Sequence, residues 1–223
     1  MKAVDLDTPI VRARNEPLLT AGVIAGPLFI VASLIQAFAR QGFDLTRHAI
    51  SMLLLGNLGW IQFANFEVTG LLALLYAVGM WRRLHPSRAG TWGPILVGAY
   101  GVLLIIAGIF PPDAAFGFPP GAPDAMSTAA SGHANLHAMA FLLLLVCVIA
   151  ASFVFVRRFA SIRQWDWMAY CIATGVAGPV LFLLGAAMTP AGKSGLPLLG
   201  VAILISAWIA IVAARLLAEQ EQA

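Results

Sequence analysis

Long apolar stretches alternate with short polar gaps along this chain. Six of them stand out: Leu18–Ala39, Trp60–Trp81, Thr91–Phe110, His133–Val156, Trp167–Met188 and Gly195–Leu217. Each reaches the roughly 20 residues that a helix needs to cross a bilayer. Each is a continuous apolar run without period-2 alternation, which excludes a transmembrane β-barrel. The pattern predicts an all-α, polytopic membrane protein built as a six-transmembrane-helix bundle. Residues 1–17 form an N-terminal segment, 18–217 a single membrane domain and 218–223 a C-terminal tail. Ala37-Phe38-Ala39 has the small residues of a signal-peptide cleavage site. The apolar stretch before it is long for a signal peptide, and Asp5, Asp7 and Glu16 dilute the positive flank. The first stretch is therefore read as a retained span.

Two gaps depart from plain loops. Between Arg40 and Gly59 a polar start at Asp44, Thr46, Arg47 and His48 gives way to Ile50, Met52, Leu53, Leu54 and Leu55. This predicts a short helix capped by Asp44, lying at the membrane interface or folded into the mouth of the bundle. Between Pro111 and Gly132, five prolines and two aspartates occur without a basic residue. That composition predicts an irregular segment, either a lid or plug over the bundle or a disordered linker. Spans one, three and five each carry a Gly-Pro step, Gly26-Pro27, Gly93-Pro94 and Gly178-Pro179. Pro removes a helix hydrogen bond, while Gly admits a close neighbour.

Composition agrees with the pattern: 61% of residues are hydrophobic, only 10% are charged and the mean hydropathy is +0.89. Soluble domains carry about 25% charged residues. The formal charge of +3 reflects topology, not nucleic-acid binding. Lys2, Arg12, Arg14, Arg82, Arg83, Arg88, Arg157, Arg158, Arg163 and Arg215 fall in the termini and in alternate gaps. The remaining gaps hold only Arg40, Arg47 and Lys193. Basic loops stay in the cytoplasm, so both termini are expected inside a bacterial-type inner membrane. The two cysteines, Cys147 and Cys171, read as small packing residues within the hydrocarbon.

Candidate chemistry gathers toward the opposite, outer side. His133 and His137 stand at i and i+4 on one face of span four, where Ser131 or Gly132 can cap the helix. His48 lies in the first outer gap, and Asp113 follows span three. Glu67 sits about 10 Å into span two, the only carboxylate well inside a span. Gln36, Asn65 and Asn135 lie at comparable depth. With His137, Asn65 and Gln36 as its reachable partners and Arg40 and Arg47 read as lying at the surface, Glu67 is expected to face the bundle interior and contact span one or span four. His48, His133, His137 and Asp113 are thus candidate ligands for a zinc-like divalent metal, with Glu67 or Asp113 as general base on metal-bound water. The competing reading is a hydrogen-bonded polar cluster that joins helices and shapes a lid. Two histidines one turn apart on one helix cannot both ligate a single haem iron axially. The chain also lacks C-x-x-C-H, G-x-S-x-G, H-E-x-x-H and a Gly-rich phosphate loop.

Several of these residues fall in a recognisable pattern. Gly26-Pro27 with Gln36, Asp44-x-x-Arg47-His48-x-x-Ser51, Trp60-Ile61-Gln62-x-x-Asn65-Phe66, Gly108-Ile109-Phe110-Pro111-x-Asp113 and the Gly132 to His137 start of span four are present. Over roughly residues 20–215 the chain resembles the bacterial family known as domain of unknown function 998. The resemblance implies a six-span integral membrane protein of no assigned activity. It places Asp113, His137 and the Arg47-His48-x-x-Ser51 segment in the family pattern. A fainter analogy connects the His, Asp and Ser set with alkaline ceramidase-type membrane hydrolases, although order, spacing and span number differ.

Three function classes follow. The first is an outward-facing His/Asp/Glu pocket, metal-bearing or not, that acts on or binds a lipid-like substrate. The second is a non-enzymatic subunit or assembly factor of a larger membrane complex. The third is a small transporter with Glu67 as its proton-coupling carboxylate. Expected partners are membrane lipids and a membrane-protein partner or second copy, with no nucleic acid.

Overall fold

A computed structural model describes residues 9–126 and 128–221. Residues 1–8 of the N-terminal segment and 222–223 of the tail lie outside the described residues. The chain forms α1 (Pro9–Ala39), α2 (Gly59–Leu84), α3 (Arg88–Ile109), α4 (Gly132–Ser161), α5 (Trp165–Met188) and α6 (Gly195–Glu221). All six are long and apolar enough to cross a membrane, and the chain is a multi-pass membrane protein.

Several helices overrun the apolar stretches. α1 runs through Pro17, and α2 continues over Arg82 and Arg83. Long basic side chains can carry a helix past the hydrocarbon by reaching for water. Local capping decides other ends. Ser87 accepts a hydrogen bond from the Gly90 amide at 3.0 Å and starts α3. Ser131 accepts from the Ala134 amide at 3.1 Å and starts α4.

Each helix packs on its neighbours in sequence, and α1 also packs on α6, so the six close into a ring. At the seam between α1 and α6, a side chain at Gly26 would fall 2.1 Å from the Ser206 carbonyl oxygen. Only glycine lets the two backbones come that close. Pro27, Pro94 and Pro179 all stay inside helices. Outside the ring, Val31, Ile35, Leu71, Leu142, Val146 and Leu183 are exposed, as a lipid-facing belt requires.

Between α1 and α2 a polar seam is built from Ser33, Gln36, Gln62 and Asn65, all buried. Gln36 Nε2 donates to Gln62 Oε1 at 2.6 Å, and Gln62 Nε2 donates to Ser33 Oγ at 2.9 Å. Asn65 Nδ2 reaches the Phe29 carbonyl at 3.0 Å. Polar groups in hydrocarbon need such partners, and each interhelical bond contributes about 0.6 kcal/mol. Gln36 and Asn65 thus serve this seam and do not pair with Glu67.

The end of the ring where α1 begins and α6 ends is filled by aromatic side chains. Phe155 meets Trp208 edge-on at 5.8 Å, beside fully buried Tyr76 and Phe159. Below them Arg158 and Glu219 form an ion pair at 2.7 Å. Arg83 donates to the Glu219 carbonyl at 3.2 Å. The two cysteines are free.

The opposite end carries the three connections 40–58, 110–131 and 189–194. The first contains a short helix, as expected, but it is a five-residue 3-10 turn, Ile50–Leu54, preceded by Ala49 and not by Asp44. Its Ile50, Met52 and Leu53 are buried, so the segment folds into the mouth. Asp44 instead organises the preceding turn, accepting from the Thr46 amide at 2.8 Å and its hydroxyl at 2.7 Å. The second connection is irregular, and its first part packs over the mouth as a plug: Ala115 and Phe118 bridge to each other and both are buried, whereas most described residues from 120 to 131 are exposed.

Candidate functional site

A cavity of about 390 Å³ occupies the loop-end half of the ring. Residues from all six helices line it, among them Phe29, Phe66, Leu104, Leu144, Phe182 and Ile205. The volume lies within the usual range for small-molecule sites. Leu144 stands twelve residues into α4 and Ser206 eleven into α6. At 1.5 Å per residue this puts the floor about 17 Å from the helix ends, near the middle of a 30 Å hydrocarbon layer. The walls are apolar. Polar lining residues concentrate at the mouth, namely Arg47, Ser51, Asp113, Asn135, His137, Thr189 and Ser194, with Ser206 and Tyr100 further in. Arg47 and Asp113 are the only charged residues in the lining.

His137 is fixed by a defect at the end of α3. Pro111 has no N–H, so the Ala107 carbonyl loses its helical donor. His137 Nδ1 stands 2.9 Å from the Ala107 oxygen and 2.9 Å from the Phe110 oxygen. Two acceptors require the proton on Nδ1, which leaves the lone pair on Nε2. The side chain is buried in the pocket wall, 7% exposed.

Asp113 shares that wall. Its Oδ2 accepts from the Ser131 amide at 2.8 Å, tying the plug to the start of α4. Hydrogen bonding from Ser131, helped by nearby His133, holds Asp113 below the usual carboxylate range. His133 itself is exposed on the first turn of α4, edge-on to Phe110 at 5.5 Å. It does not line the cavity.

His48 is buried, yet it too stands off the cavity lining. Its Nδ1 accepts from the Asp44 amide at 2.9 Å, and its Nε2 donates to the Phe116 carbonyl at 3.0 Å. Both ring nitrogens are thereby used. The ring lies 5.4 Å from Phe118, on which the Arg40 guanidinium also stacks at 4.9 Å. Arg40 donates in addition to the Leu53 and Leu55 carbonyls. His48, Arg40 and Phe118 therefore lock the two long connections together. Burial lowers the Arg40 pKa from its ordinary value.

Glu67 faces α3, where a side chain at Gly108 would come within 2.9 Å of its Oε1. It contributes nothing to the cavity lining. The sequence suggested contact with span one or span four. The helix phase instead turns this position toward the α2–α3 seam.

The candidates do not meet at one point. Asp113 and His137 line the cavity; His48, His133 and Glu67 do not. Among the described residues, no group of three or more His, Cys, Asp or Glu is placed to hold a metal ion. Arg47 was placed by sequence at the surface, but it lines the mouth beside Gly192. The apolar walls carried no sequence signal, since every span is apolar throughout.

The model of a family described as protein of unknown function (DUF998) matches residues 23–215. The chain belongs to this family. No curated protein and no solved structure matches it.

Proposed function

We propose that this member of a family of unknown function binds a lipid-like amphiphile in the central cavity, with the ligand's chain in the apolar interior and its polar end at the mouth. One observation carries the reading: the cavity is lined by all six helices, apolar to mid-membrane depth and polar chiefly at its opening. Such a volume does not favour staying empty. At about 24 cal/mol per Å³, an unfilled cavity costs several kcal/mol. Water gains little among these walls, whereas a lipid chain fills them. Asp113 and His137 are the groups that would meet the ligand's polar end. A proton path through Glu67 has less support, because that carboxyl lies off the cavity.

The distribution of basic residues supports a mouth open to the outer face of a bacterial-type inner membrane, with both termini cytoplasmic. A cysteine at Ala122, on the plug, should then react with an impermeant thiol reagent from outside. Labelling only from the cytoplasmic face would reverse the orientation.

Native mass spectrometry of protein purified in mild detergent tests the binding itself. Wild type should carry a bound amphiphile, and Ala202→Phe, which fills the cavity from α6, should lose it while remaining folded. Bare wild-type protein, or equal occupancy in both proteins, would contradict the reading.

A further inference from the structure

The apolar walls alone do not select a ligand from a membrane, because lipid tails are as apolar as the cavity. Selection must come from the polar mouth. Its two charges, Arg47 and Asp113, are of opposite sign, so it offers no net charge to an ionised head group. Several other polar groups are already engaged. Thr189 Oγ1 donates to the Gly185 carbonyl at 2.9 Å, Asn135 Nδ2 to the Ala130 carbonyl at 3.3 Å, and Asp113 Oδ2 is held by Ser131.

The hydroxyls of Ser51, Tyr100, Ser194 and Ser206 also line the cavity and can both donate and accept; His137 differs. Its Nδ1 proton is committed to two carbonyls, so its Nε2 can only accept. Among the described residues nothing donates to that nitrogen. The side chain lines the cavity and is largely buried, so a ligand that donates to Nε2 there gains a hydrogen bond largely shielded from water.

We infer that the cavity selects a neutral, hydroxyl-bearing amphiphile whose O–H donates to Nε2 of His137. The inference rests on the amphiphile-binding reading and narrows it to long-chain alcohols and related hydroxyl lipids. An ether or ester lacking the donor leaves Nε2 unsatisfied and is discriminated against, by about tenfold for one buried hydrogen bond.

The test compares dodecan-1-ol with dodecyl methyl ether, titrated calorimetrically into the full-length protein held in amphipol. Wild type should bind the alcohol about tenfold tighter. His137→Asn keeps a donor where Nδ1 was and removes Nε2, so it should bind both probes alike. Equal wild-type affinities would overturn the hydroxyl assignment and leave the amphiphile reading standing. Failure of both probes to bind would overturn both. An undiminished preference in His137→Asn would move the donor's partner elsewhere and overturn the role of His137. Histidine labelled with nitrogen-15 gives an independent readout should the variant fold poorly. The wild-type Nε2 resonance should move on adding the alcohol and stay in place with the ether; no movement with either would overturn the assignment.

Discussion

His48 donates through Nε2 to the carbonyl of Phe116, 68 positions away in sequence, across 3.0 Å. This bond fastens the 3-10 connection to the plug and shapes the cavity mouth. His48→Ala strands the Phe116 carbonyl and the Asp44 amide. It should cost roughly 1–3 kcal/mol and expose residues 111–131 to protease, which limited proteolysis reads directly. The histidine is occupied on both nitrogens, so a chelator should leave the melting temperature of wild type unchanged.

The six spans were legible because hydrocarbon demands long apolar helices with internally satisfied backbones. The capping of α4 by Ser131 was equally local and equally readable. The site was harder. Glu67 looked like an interior group, but only the packed ring shows which side of α2 faces α3. His48 and His137 look alike in the sequence. Their difference arises from nonlocal partners, the Phe116 carbonyl for one and the carbonyls left open before Pro111 for the other. Arg47 read as a surface residue because hydropathy left open whether its connection lies at the interface or folds into the mouth.

Gly26 predicts the tightness of the α1–α6 seam. Gly26→Val would drive a side chain into the Ser206 backbone, which cannot retreat as a flexible side chain can. Overpacking of this kind costs about 1–3 kcal/mol or more. Thermal denaturation should show the loss, whereas Gly132→Ala, with open space around it, should show almost none.

Asp113 gives the acid behaviour of the mouth. Its pKa lies below the ordinary 3.8 because Ser131 hydrogen-bonds the carboxylate. A depressed carboxyl contributes stability above the ordinary value and loses it as pH falls through its own lower pKa. Its contribution should therefore be flat from pH 7 to about 5 and vanish only below about 4. Melting curves of wild type and Asp113→Ala should converge in that acid range and differ above it.

Glu67 should prove dispensable to the fold. Its Oε1 is buried without a hydrogen-bond partner among the described residues. Replacing it relieves an expensive group in hydrocarbon, so Glu67→Leu should match or exceed wild-type thermal stability. A loss beyond about 2 kcal/mol, the scale of a broken buried bond, would reveal a partner that this account does not give it.

Photo-crosslinking reads occupancy of the cavity by an amphiphile residue by residue. A twelve-carbon alcohol bearing a diazirine at its far end is irradiated with the protein in nanodiscs, and the adducts are mapped by mass spectrometry. Adducts should fall on the cavity walls at Leu144, Phe182 and Ile205 and be suppressed by excess dodecan-1-ol. Adducts confined to lipid-facing Val146, Leu183 and Ile203, unaffected by competitor, would contradict occupancy of the cavity.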